Sequence, residues 1–293
     1  MNKTIRIGSR DSALAVIQAQ IVIDTVKKTN PAINFEIVAI TTTGDTILDQ
    51  SLDTVGGKGL FITELESALA DGSIDIAVHS YKDMPWQETE GLPVVALSAR
   101  EAPFDALVLP QGIDKLDNSK PVGCSSLRRT IQFAQLYDGF TISPVRGNVP
   151  TRLSKLDNGE YSALILAQAG LNRLSLQRRI SRVFTVDEMI PSASQGILAV
   201  QGRAGENYAY LDAVHSRESE TVSKAERQFL TTLGGGCSAP VAVYGQLQHN
   251  ELLLTGMYVD GSGNIATGKI SGDSDKPEWL GETLARRLQE RAG

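Results

Sequence analysis

Through the first two thirds of the chain, short apolar runs alternate with stretches whose apolar residues recur every three or four positions. IRIGS (5–9) has the profile of a short buried strand. From Ser12 the spacing turns helical, with Leu14, Ile17, Ile21 and Val22 on one side, and Asp11 or Ser12 is placed to cap that helix. FEIVAIT (35–41) predicts a second strand, IDIAVHS (74–80) a third and LPVVALSA (92–99) a fourth. Between them LFITELESALADG (60–72) predicts an amphipathic helix stopped at Gly72. A second round follows: ALVLP and VGCSS, the helix SSLRRTIQFAQLY, the strand TISPVR, the helix NVPTRLSKLDNG and the strand SALILA. Such alternation predicts parallel sheets with helices on both faces, and two rounds predict two α/β lobes. The openings IRIGSRDSAL (5–14) and PVGCSSLRRT (121–130) share an apolar residue, a glycine, a small residue and polar residues leading into a helix. An internal duplication would leave such a trace.

After residue 213 the pattern changes. SETVSKAERQFLTTL (219–233) predicts a helix. VAVYGQLQ, LLLTGMYVD and NIATGKIS then read as antiparallel strands separated by turn residues, and PEWLGETLARRLQERA as a closing helix. The division expected is an α/β domain of 1–96 with 196–212, a second α/β domain of 97–195 and a small α+β domain of 213–293.

Composition changes this picture little. The 293 residues are 41% hydrophobic and 21% charged, an ordinary globular balance with room for about two domains of ~100–200 residues. No charged n-region followed by an apolar run opens the chain, and no segment approaches the ~18 apolar residues that a membrane span needs. The two cysteines, Cys124 and Cys237, make neither a disulfide framework nor a cysteine zinc site. A soluble cytoplasmic protein with reduced thiols is the expectation, with no membrane partner. His79, His215 and His249 lie too far apart to suggest a metal site, and His79 reads as a packed strand-end histidine.

Charge is more informative. The net charge of −6 argues against nucleic-acid binding, yet 124–182 holds nine basic residues against three acids, leaving −12 on the remainder. Arg10, Arg128, Arg129, Arg146, Arg152 and Arg173 fall mostly at carboxyl ends of predicted strands, beside helix amino termini. Free N–H groups and the helix dipole favour anions there, and arginine pairs with carboxylates through two hydrogen bonds. The placement favours a polyanion cleft over a solvated face. Gly56-Gly57-Lys58-Gly59 lacks Walker spacing, so TTGDTILDQSLDTVGGKG (42–59) reads instead as a long polar loop of the kind that serves as a lid. Ser80, Lys82 and Asp83 follow the strand IDIAV, where open α/β sheets bind ligands, although alternation turns Lys82 and Asp83 in different directions. Asp83 also has a plain reading, as the start of a turn before Pro85. On these features alone a non-enzymatic anion-binding protein, built like a two-lobed solute-binding protein, competes with an enzyme. A nucleic-acid binder is a poorer third reading.

The ordered set TTTGD, VGGKGLF, DIAVHSYKDMP, SSLRR, VRGNVPTRLSKL, ILAQAGLNRL, PSASQGILAVQ and ERQFLTTLGGGC resembles the porphobilinogen deaminase (hydroxymethylbilane synthase) family over nearly the whole chain. The resemblance implies two doubly wound, solute-binding-protein-like α/β lobes around a cleft, plus the small α+β domain with its antiparallel sheet. It implies a dipyrromethane cofactor, assembled from the enzyme's own pyrrole precursor and held by a thioether on Cys237 in the bendable LGGGCSAP loop. The reaction it implies is one in which four porphobilinogen molecules lose ammonia and join head to tail, and water then releases 1-hydroxymethylbilane. Asp83 maps to the catalytic carboxylate, able to stabilise positive charge near a pyrrole nitrogen and assist proton transfer. Arg10, Arg128, Arg129, Arg146, Arg152 and Arg173 map to carboxylate partners. Ser12, Ser80, Lys82, Ser125, Ser126 and Gly147 map to further binding positions, Gln195 to a place near the cofactor, and Lys58 and Phe61 to the lid. No metal is implied, and the enzyme is expected to act as a monomer on porphobilinogen and water. Three positions depart from the common pattern: Pro150 for a frequent glycine, Thr54 for a lysine in some members and Cys124 for a frequent threonine. Proline suits a helix's first turn but removes one N–H.

Overall fold

The computed structural model describes residues 4–46, 62–234 and 240–293. Lys58, Phe61, Thr54 and Cys237 lie outside the described residues. In chain order the elements are β1 (Thr4–Arg10), α1 (Ala13–Thr29), β2 (Asn34–Ile40), α2 (Thr43–Thr46), α3 (Thr63–Ala70), β3 (Ile76–Ser80) and β4 (Val94–Leu97). Next come β5 (Asp105–Val108), β6 (Val122–Gly123), α4 (Leu127–Leu136), β7 (Ile142–Ser143), α5 (Val149–Asp157), β8 (Ala163–Ala167), α6 (Gln168–Arg173) and β9 (Arg182–Val183). The chain continues with β10 (Leu198–Gln201), α7 (Arg217–Thr232), β11 (Ala242–Gln248), β12 (Glu251–Val259), β13 (Ile265–Asp273) and α8 (Pro277–Ala292). None of the described helices is long and apolar enough to cross a membrane.

The chain forms two compact units, Met1–Glu101 with Gly196–Glu220 and Ala102–Gln195 with Thr221–Gly293. The first holds a sheet in the order β2-β1-β3-β10-β4, the second a sheet in the order β7-β6-β8-β5-β9 and the antiparallel sheet β11-β12-β13. The two larger sheets share one plan. β1 corresponds to β6, β2 to β7, β3 to β8, β10 to β5 and β4 to β9. The correspondence reaches single residues: Gly8 pairs with Ala77, the second residue of β3, and Gly123 with Leu164, the second residue of β8. Both glycines are forced by close approach. A Cβ on Gly8 would lie 2.3 Å from Ile74 Cδ1, and one on Gly123 2.5 Å from Leu164 Cδ2. The similarity of IRIGSRDSAL and PVGCSSLRRT thus coincides with equivalent places in two like sheets.

Neither large sheet is purely parallel, contrary to the sequence expectation. β10 runs antiparallel to β3 and β4, and β5 antiparallel to β8 and β9. Neither strand is reached through a β–α–β crossover, the connection that imposes parallel direction. β10 and the short β9 were also not foreseen as strands.

α1 buries Ala15, Gln18, Ala19, Val22, Ile23 and Val26, the i, i+3, i+4, i+7 stripe of an amphipathic helix. That face is rotated from the predicted one, and Ile21 stays 36% exposed. The run AVIQAQIVI is apolar on both sides of the helix, so packing against Ile7, Ile76 and Val78 decides which side turns inward. In the second unit Asn148 caps α5 by accepting the Thr151 N–H at 3.0 Å, and Pro150 sits in the first turn, where a missing N–H costs nothing.

Candidate functional site

In the first unit β1 and β3 are parallel neighbours, so their carboxyl ends open on the same sheet edge. β1 delivers Arg10 there, and the chain turns at Ser12, whose Oγ accepts the Ala15 N–H at 3.3 Å and starts α1. β3 ends at Ser80. One 3-10 turn, Tyr81–Asp83, follows and is closed by the Met84 N–H on the Tyr81 carbonyl at 3.2 Å. Arg10, Ser12, Gln18, His79, Ser80 and Asp83 thereby line one cavity of about 80 Å³. Asp83 is the only carboxylate among its described lining residues and is itself exposed. Lys82 is not part of the wall, which fits the expectation that Lys82 and Asp83 diverge.

Two supports shape this cavity: Gln18, which sequence reasoning missed, and His79, which it read as a packed strand-end histidine. Gln18 is 3% exposed and donates its amide to Ser80 Oγ at 2.9 Å, so the Ser80 hydroxyl keeps its own hydrogen to donate. His79 packs at the strand end, as expected, with Nε2 3.1 Å from Gln201 Oε1. The Gln201 amide nitrogen donates to Glu66 and to the Leu92 carbonyl, which makes its oxygen the acceptor and His79 Nε2 the donor. Burial, with a smaller contribution from Arg10, pushes His79 down to about 4, so a neutral imidazole lines the cavity near neutral pH.

The second unit arranges its residues otherwise. Ser125 Oγ donates to the Val145 carbonyl at 2.7 Å and accepts the Val145 N–H at 3.0 Å, tying the start of α4 to the turn that carries Arg146. Gly147 occupies φ 108°, a conformation open to glycine. Arg152 donates Nε to the Gly147 carbonyl at 2.7 Å, and Lys155 reaches the Arg146 carbonyl at 3.4 Å. Arg146, Arg152, Ser126 and Arg173 are half-buried, with Arg173 ending α6.

Arg128, Arg129 and Gln195 sit deeper than an open carboxylate cluster would require, at 5%, 8% and 1% exposure. All three converge on Asp105, which is fully buried and was not singled out from sequence. Burial alone would raise the Asp105 carboxyl. The Arg128 and Arg129 guanidiniums and the Gln195 amide outweigh it and hold the group well below the usual carboxylate range. Asp105, one of two acids in EAPFDALVLP, gives no sign in sequence of partners 23 and 24 residues away.

A family model described as porphobilinogen deaminase, dipyromethane cofactor binding domain, matches residues 5–210, and one for the porphobilinogen deaminase C-terminal domain matches 221–290. The chain is 54% identical over 288 residues to the porphobilinogen deaminase of Acetivibrio thermocellus, covering 98% of this chain and 99% of that protein. To that of a Nostoc species it is 42% identical over 298 residues, covering 99% and 92%. Similar solved structures include the methionine-binding protein MetQ, at TM-score 0.45, 14% identity and 74% and 92% coverage. The BenM effector-binding domain with benzoate aligns at TM-score 0.42, 14% identity and 80% and 95% coverage. Matched by both family models and by relatives along its whole length, the chain belongs to the porphobilinogen deaminase family.

Proposed function

We propose that the cavity of the first unit is where porphobilinogen reacts, with Asp83 as its catalytic residue. The family's reaction deaminates porphobilinogen and joins it head to tail into a linear tetrapyrrole, and its larger domain binds the dipyrromethane cofactor. The observation that carries the assignment is the convergence of Arg10, Ser12, Ser80 and Asp83 on one cavity. The donor set suits a polycarboxylate pyrrole. Arg10 offers a guanidinium to a ring carboxylate, and the Ser80 hydroxyl, held by Gln18, offers a hydrogen bond. Asp83 is positioned to stabilise the positive charge that builds at a pyrrole nitrogen as the amine departs, and to accept a proton afterwards. A neutral His79 adds no competing positive charge.

The same chemistry describes what would hold the cofactor. Ser125, Ser126, Arg128, Arg129, Arg146, Gly147, Arg152, Arg173 and Gln195 are the proposed contacts for the acetate and propionate groups of the cofactor and of substrate pyrroles, and Lys82 is a further proposed binding residue. When bound, dipyrromethane supplies the pyrrole carbon onto which units are added. Cys237, directly after a run of three glycines, is the proposed thioether attachment point, and Lys58 and Phe61 are proposed lid residues. The working enzyme is proposed to be a cytoplasmic monomer with three domains, 1–96 with 196–212, 97–195 and 213–293, acting without nucleic acid or membrane. The net charge of −6 supports the absence of a nucleic-acid partner.

The test is the intact mass of purified protein beside its Cys237→Ser variant, before and after incubation with porphobilinogen. The expected result is an excess of two linked pyrrole units, absent from the variant. If the unsubstituted protein carries no excess mass as purified and porphobilinogen then adds none, the covalent reading is lost.

A further inference from the structure

We infer that Asp105 is a positioning residue for carboxylate recognition: it holds Arg128 so that one edge of the guanidinium faces a ligand, and it locks Arg129 and Gln195 beside it. The inference rests on the proposal that these side chains bind pyrrole carboxylates. Asp105 Oδ2 accepts from Arg128 Nη1 at 2.7 Å, and the same Nη1 donates to the Ile190 carbonyl at 2.7 Å. Asp105 Oδ1 accepts from Arg129 Nε at 2.9 Å and from Gln195 Nε2 at 3.0 Å, with Arg129 Nη2 at 2.7 Å. Every hydrogen bond of the Arg128 side chain among the described residues therefore uses Nη1. Its Nε and Nη2 take no hydrogen-bond partner among the described residues, although the side chain is only 5% exposed. Those two nitrogens form the planar edge that receives a carboxylate through two parallel hydrogen bonds.

The fold itself does not ask for an acid at this place. Asp105 is the first residue of β5 and pairs with Ala167, the last of β8. The equivalent residue of the first unit begins β10, pairs with Ser80, the last of β3, and is Leu198. Leu198 is 1% exposed. Two like sheets therefore fill one buried position with a leucine in the first unit and a carboxylate in the second. Burying a carboxylate is costly unless something charged is held by it.

The experiment compares Asp105→Asn, Asp105→Glu and Arg128→Leu. The readouts are far-ultraviolet circular dichroism, the fraction of purified protein carrying pyrrole mass, and the split between KM for porphobilinogen and kcat of the loaded fraction. The expected result is a folded Asp105→Asn protein with loading reduced or KM raised about tenfold, the scale of one charge-assisted hydrogen bond. Its kcat stays near that of the unsubstituted protein, and Asp105→Glu recovers part of the loss. If Arg128→Leu fails to load while Asp105→Asn loads with unchanged KM, Asp105 only supports the fold and the inference is overturned. If Arg128→Leu loads and elongates normally, the carboxylate-binding proposal for that arginine fails first and the inference falls with it. Should Asp105→Asn not fold, Asp105→Glu decides: raised KM supports the positioning role, and unchanged KM and loading refute it.

Discussion

The first unit and the large sheet of the second share strand order, an antiparallel strand at the same place in the row and a space-limited glycine at the same register. They use the carboxyl edge of that sheet in opposite ways. In the first unit the residues after β1 and β3 leave a cavity, and the helix contributes Gln18, a neutral support for Ser80. In the second, α4 contributes Arg128 and Arg129, and the space beneath is filled by Asp105. One plan thus supplies a small chamber with a single carboxylate and, separately, a charged cluster with its own counter-ion. In the proposed function the first arrangement carries the reaction and the second holds an anionic chain.

The largest expected effect tests the chamber. Asp83→Ala lowers turnover by roughly 10²–10³-fold, as loss of one preorganised electrostatic partner does, while unfolding midpoints stay put because the side chain is exposed. Steady-state consumption of porphobilinogen and a thermal melt measure the two halves. Next come the paired glycines. Gly8→Ala and Gly123→Ala each force a Cβ into a packed side chain and cost about 1–3 kcal/mol in denaturant unfolding, a similar penalty in both sheets if the equivalence is real.

Acid separates the units by pH. His79 is held neutral in the folded chain, with its ordinary value of 6.5 pushed down to about 4. The unfolded chain binds the extra proton in that window, so stability falls as pH drops through it, by up to ~3 kcal/mol. Asp105 is lowered from its ordinary 3.8, so its contribution is present above that value and is lost only as pH falls below it. Between pH 6.5 and 4 the pH dependence of unfolding accordingly loses the His79 contribution in His79→Asn and keeps it in Asp105→Asn. The smallest effect lies on α1, where Ile21→Ala changes stability by only about 0.5 kcal/mol, because the packed stripe runs through Val22 instead.

The legible part of this molecule was local. Strand and helix alternation, Gly72 at the end of α3, Pro150 in the first turn of α5 and the cluster Ser80–Asp83 after β3 all follow from neighbours in sequence. The direction of β5 and β10 did not, since it depends on how the chain re-enters a sheet rather than on any residue within the strand. The inward side of α1 was ambiguous because both sides are apolar. Asp105 was invisible for the same kind of reason: its meaning comes from two arginines and a glutamine that only the folded sheet brings to it.

The most direct test of the division of labour is a single-turnover measurement of ammonia release from porphobilinogen by the cofactor-loaded protein, with Asp83→Ala and Arg146→Leu compared at saturating substrate. The account predicts that Asp83→Ala slows release by at least about 10²-fold. It predicts that Arg146→Leu leaves the saturated rate within about threefold and raises the porphobilinogen concentration needed to reach it. A normal first turnover in Asp83→Ala, or a collapse of the saturated rate in Arg146→Leu with unchanged substrate demand, would contradict it.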